Sequence, residues 1–79
     1  MPTFQISIIN ETFASSDSHE MHSLDAAAAQ ALKAALQIGS EEVAGGKQFF
    51  AAEVKVETAN EIVGRFVVSI GASPLALAG

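Results

Sequence analysis

The stretch Ser23–Ile38, SLDAAAAQALKAALQI, decides the fold. Alanine and leucine have the best helix propensities, and no Gly or Pro interrupts the run. Ser23 is placed to cap the N-terminus, and Asp25 lies in the first turn, where its charge complements the helix dipole. At about 100° per residue, Leu24, Ala28, Ala31, Ala35 and Ile38 share one face, flanked by Leu32 and Leu36, while Gln30, Lys33 and Gln37 turn to water. The helix is expected to end at Gly39, or one turn later at Gly45 and Gly46.

On either side of this helix the hydrophobic period falls to two. From Thr3 to Asn10, Phe4, Ile6 and Ile8 alternate with Thr3, Gln5 and Ser7, the pattern of a half-buried strand. Asn10 and Glu11 suit a tight turn, after which Thr12–Ala14 is read as a short return strand leading into the polar stretch Ser15–Ser18. From Phe49 to Thr58, Phe50, Ala52, Val54 and Val56 point inward, and Glu53, Lys55 and Glu57 outward. A last strand carries Ile62, Gly64, Phe66, Val68 and Ile70 inward, with Val63, Arg65, Val67 and Ser69 on its other face.

Paired residues of a hairpin share a face, which constrains its register. A three-residue loop, Thr58–Asn60, pairs Val56 with Ile62, Val54 with Gly64, Ala52 with Phe66 and Phe50 with Val68. It sets Glu53 opposite Arg65 and places Asn60 in a left-handed conformation. A two-residue loop would turn Arg65 into the core.

The expected fold class is therefore α+β, with the order β(β)αββ and one Ala-rich helix packed on one face of a small, mainly antiparallel sheet of three to four strands. The last strand is the most apolar and is expected at the centre, with direct parallel pairing of the first strand and the Phe49–Thr58 strand as the alternative. Alanines on the helix and Gly64 on the sheet would allow close approach, with Phe4, Phe50 and Phe66 filling space around the contact. Residues 1–72 read as one domain and residues 73–79 as a flexible tail.

Composition limits function. A chain of 79 residues buries only about 60% of the surface its unfolded form exposes, so its stability is marginal without outside help. Having no cysteine, it forms no disulfide and offers no thiolate for zinc, and a cytoplasmic location is the expectation. MPTFQISIIN lacks the basic start and apolar run of a secretory signal, and no stretch approaches the length of a membrane span. Nine acidic residues against four Lys and Arg give a formal charge of −5, which repels phosphate backbones and anionic membranes.

The segments DSHEMHSLDAAAAQA and VKVETANEIV resemble a small bacterial family of unknown function whose members run strand, turn, acidic loop, Ala-rich helix and hairpin. Together the matched features span most of residues 4–70. The resemblance implies the fold and no catalytic residue.

Chemistry-bearing groups are few. Asp17, His19, Glu20 and His22, near Asp25, form the one cluster of potential ligands or proton carriers. The string HEMH spaces its histidines three apart, whereas the zinc-protease helix needs four. A polar loop ahead of the helix is the simpler reading, so no metal, cofactor or catalytic residue is assigned. Gly45, Gly46 and Lys47 lack phosphate-loop spacing, and no serine sits in a nucleophile elbow. The charged row Glu53, Lys55, Glu57 and Arg65 reads as a solvated sheet face. Among these charges, Ile9, Phe49, Val63 and Val67 point away from the helix, on a face that nothing else in so short a chain can cover. The sequence thus favours a non-enzymatic interaction module that self-associates, as a homodimer or with another protein partner, through its uncovered sheet face or a strand edge. A metal or catalytic site in the acidic loop is the alternative, and a small nucleic-acid-binding domain is a third reading that the charge disfavours.

Overall fold

The structure, a computed structural model, describes residues 2–72. The order is β1 (Thr3–Ile9), β2 (Ala14–Glu20), α1 (Leu24–Ala44), β3 (Phe49–Glu57) and β4 (Ile62–Gly71). The strands form one antiparallel sheet in the order β2-β1-β3-β4, with the helix on one face. This is the expected α+β class with all four strands present. The tail at 73–79 lies outside the described residues.

The return strand starts later and runs longer than expected: Thr12 and Phe13 belong to the turn, and only Ala14 of the expected Thr12–Ala14 lies in β2. Asn10 Oδ1 accepts hydrogen bonds from the backbone N–H groups of Thr12 and Phe13, at 2.9 and 3.0 Å, and so shapes the turn. The segment read as a polar stretch and acidic loop then pairs with the whole of β1, from Ile9 with Ala14 to Thr3 with Glu20. Because β2 is an edge strand that the helix does not cover, neither of its faces needs apolar residues. Gln5 instead anchors it from β1, donating to Ser16 and accepting from Ser18 Oγ at 3.0 Å.

A complete β2 also overturns the expected strand order. It reverses the chain before the helix, so β3 enters the sheet antiparallel to β1 and directly beside it, neither parallel to it nor separated from it by β4. The centre belongs to β3, whose Val54 and Val56 are fully buried. At about 1.5–3 kcal/mol for a fully buried aliphatic side chain, these two are major contributors to the core. Of β4 only Val68 is buried; its remaining apolar residues spread over both faces and the open edge.

The helix runs past Gly39 to Ala44. Ser23 Oγ accepts from the Ala26 N–H at 3.1 Å. At the far end Gly46 has φ of +119°, and the N–H groups of Lys47 and Gly46 donate to the carbonyls of Glu42 and Val43. This is a Schellman motif, which consumes the last free carbonyls and explains the paired glycines as a helix end. The buried stripe is Ala27, Ala31, Ala35 and Gly39. Leu24, expected on this face, is exposed, because a strict four-residue row of minimal side chains lets the helix come closest to the sheet. Close approach occurs at Gly39, where an added Cβ would lie 2.6 Å from both the Phe50 ring and Ile70 Cδ1. At Gly64 a Cβ would meet only Val56, at 3.8 Å.

The β3–β4 register is displaced from the expected one. Thr58–Glu61 form a four-residue loop closed by Thr58 N–H donating to the Glu61 carbonyl at 2.9 Å. Val56 pairs with Gly64, Val54 with Phe66 and Phe50 with Ile70, after a bulge that opposes both Ile62 and Val63 to Glu57. The bulge inverts two assignments: Ile62 is exposed, while Val63 is partly buried against the core. Asn60 is not left-handed, since no non-glycine among the described residues has positive φ. Beyond the bulge the alternation of faces is as expected, because a two-residue slip preserves it.

Candidate functional site

The residues proposed from sequence fall into two separate places. Asp17 and His19 pair with Ile6 and Phe4, which places both on the helix side of β2. Glu20 pairs with Thr3 on the opposite face, and His22 follows the strand and is exposed. Strand alternation therefore divides the four groups, and no cluster of three or more His, Cys, Asp or Glu able to hold a metal exists among the described residues. His19 is partly shielded by its strand neighbours, and the others stand in water.

The second place is the sheet face opposite the helix. Here β1, β3 and β4 bring Ile9, Phe49 and Val67 around one shallow depression of about 330 Å³, with Asn10, Glu11, Ala51 and Glu53 completing its wall. Phe49 and Val67 are 64% and 68% exposed, the largest values for bulky apolar residues among those described. Val63, the fourth proposed contact residue, does not join them, because the bulge turns it toward the core. The polar groups around the depression are carboxylates and an amide, with no histidine, lysine or arginine. Such a lining supplies no acid–base pair and no anion clamp, whereas it suits an apolar contact with a polar rim.

The charged row beside the depression is internally compensated. Arg65 reaches diagonally to Glu53, with Nε donating to Oε2 at 2.8 Å and Nη2 at 2.6 Å from the same oxygen. Sequence reasoning found this pair but set it directly opposite; in the structure Glu53 faces Val67 and Arg65 faces Lys55. Ser7, on the same face between Ser16 and Lys55, is only 7% exposed, its hydroxyl 3.2 Å from that of Ser16. This half of the face is polar, with one ion pair and a separate group of serine and glutamine bonds. The apolar half lies toward Phe49.

Sequence reasoning missed a second apolar surface. Leu24, Leu32 and Leu36, 40–42% exposed, line one flank of the helix with Ala28. Their four-residue spacing is visible in the sequence, which sets Leu24 on the buried face and Leu32 and Leu36 on its flank.

No helix is long and apolar enough to cross a membrane among the described residues. No protein-family model, curated protein or solved structure matches the chain. The resemblance to an uncharacterised bacterial family rests on DSHEMHSLDAAAAQA and VKVETANEIV alone.

Proposed function

We propose that this protein is a small non-enzymatic interaction module that self-associates through the sheet face its single helix leaves uncovered or through a strand edge. The observation that carries this reading is the exposure of Phe49 and Val67 side by side with Ile9 on the outer face. A domain with one helix and a core of small residues gains stability by covering such a surface with a second copy. A cytoplasmic setting is the default that goes with this proposal, since without cysteine nothing in the sequence calls for an oxidising compartment.

Sedimentation at rising concentration tests the reading. The mass should climb from 8.1 kDa toward that of a dimer, and Val67→Glu should return it to the monomer. A protein that stays monomeric at every concentration, with or without Val67→Glu, contradicts it. A metal or catalytic role for Asp17, His19, Glu20 and His22 has less support, since the first three are split between two faces of an edge strand and His22 lies beyond its end. Nucleic-acid binding must overcome the charge of −5.

A further inference from the structure

The geometry points to a specific form of that self-association, resting on the reading above for the association itself and placing it at a strand edge rather than the outer face: two copies join edge to edge through β4, in antiparallel register about Val67, so that the two sheets become one and the two helices pack side by side. Among the described residues, nothing pairs with the outer edge of β4. The sheet's other edge, β2, carries Asp17 and Glu20 and neither Lys nor Arg, so two such edges repel. The β4 sequence IVGRFVVSIG has no acidic residue, and its one cation is already held by Glu53. Beyond the bulge at its start and Arg65, it is a long, largely apolar edge of the kind that recruits another strand.

Centring the pairing on Val67 matches side chains by size. Val67 faces Val67 of the second copy, Phe66 meets Val68, and Gly64 meets Ile70. Gly64 is otherwise unexplained: its φ is not positive, and a Cβ there would touch only Val56 at 3.8 Å. Across the joined edge its missing side chain makes room for an isoleucine.

The helix supplies an independent match. β2 and β3 are parallel, each being antiparallel to β1, and crossovers between parallel strands of one sheet are right-handed in nearly all proteins. With that sense, the helix flank one residue after the buried stripe turns toward the β4 edge, and the flank one residue before it turns toward β1. Burial agrees, since Ala34 and Ile38 on the β1 side pack against the core while Leu24, Leu32 and Leu36 are exposed. A helix lying over β3 and β4 sits about half a strand spacing from the edge strand, so two of them come to roughly 10 Å across the joint, a normal helix-packing distance.

The heights agree as well. Gly39 lies against Ile70, and α1 and β4 run in the same direction. Three residues back along β4, about 10 Å, correspond to about seven residues back along the helix. Level with Val67 is therefore Leu32, which meets its own copy, while Leu36 falls on Ala28. One twofold axis serves both layers.

Because the chain has no cysteine, single introduced cysteines report the geometry. Under mild oxidation Leu32→Cys and Val67→Cys should each form disulfide-linked dimers, and Phe49→Cys, far from the axis, should not. Leu32→Glu and Gly64→Leu should each shift the sedimenting species to monomer with unchanged far-ultraviolet circular dichroism. A dimer that crosslinks through Phe49→Cys but not through Leu32→Cys packs by its outer faces, which overturns the β4 joint and leaves self-association standing. A strict monomer removes both.

Discussion

Gly39 and Phe50 meet so closely that residue 39 has no room for a side chain: a Cβ there would lie 2.6 Å from Cδ2 of the Phe50 ring and 2.9 Å from Cε2. The ring is 2% exposed and part of the core, so it has little freedom to retreat. A residue read as a helix stop is thus the place where the helix touches the sheet most tightly.

Gly39→Ala should therefore lower stability although it improves the helix. Alanine gains about 1 kcal/mol in a helix interior, while overpacking a closed core costs about 1–3 kcal/mol. A net loss of about 1 kcal/mol in urea unfolding is expected. Gly64→Ala is the control, because 3.8 Å to Val56 is ordinary contact, and the monomer's stability should change by less than about 0.5 kcal/mol.

Asn10→Ala should release β2. The Asn10 side-chain oxygen accepts from Thr12 N–H, Phe13 N–H and Thr12 Oγ1, while the backbone N–H of Asn10 donates to the Phe13 carbonyl. Losing the side-chain amide removes the three bonds to its oxygen and leaves only the backbone bond to Phe13, at a cost of about 1–2 kcal/mol. Since β2 buries no apolar residue, the loss should be local, with hydrogen exchange accelerating across Ala14–Glu20 before it does in β3. Uniform acceleration through the whole sheet would contradict this.

Ser23→Ala should cost about 1 kcal/mol by leaving the Ala26 N–H without its side-chain acceptor. Ser23→Asp should retain most of the stability, because a carboxylate accepts the same bond and complements the helix dipole. Thermal unfolding of the three proteins decides the matter, and equal midpoints for serine and alanine would show that the cap is idle.

Zinc, nickel or manganese titrated into the protein should give no more heat than into the His19→Ala, His22→Ala variant. Asp17 and His19 share a face, but Glu20 projects from the other side of the strand. A saturable zinc signal that the double variant loses would establish a site built from these groups.

Local patterns carried much of this architecture. The Ser23 cap, the alanine-rich helix and the alternation in β1, β3 and β4 depend on near neighbours in the chain, so residues 3–9, 24–38, 49–57 and 62–70 declared their conformation. Ala14–Glu20 did not, because an edge strand with both faces in water needs no hydrophobic period; partnership with β1 makes it a strand. The Val63 bulge was hidden because, beyond Ile62 and Val63 themselves, a two-residue change of register preserves which residues face the core.

Periodicity along the chain was enough to put one Ala-rich helix on a small, mainly antiparallel sheet, to set Glu53 and Arg65 on one face, and to point Ile9, Phe49 and Val67 away from the helix. Each follows from a period of 3.6 or 2 acting within one element. Only the tertiary structure decided that β3 is central, that Gly39 rather than Gly64 is the point of contact, that Val63 turns to the core, and that Leu24, Leu32 and Leu36 are left exposed. These depend on which elements become neighbours and how closely they approach, and that is settled by packing across the whole chain.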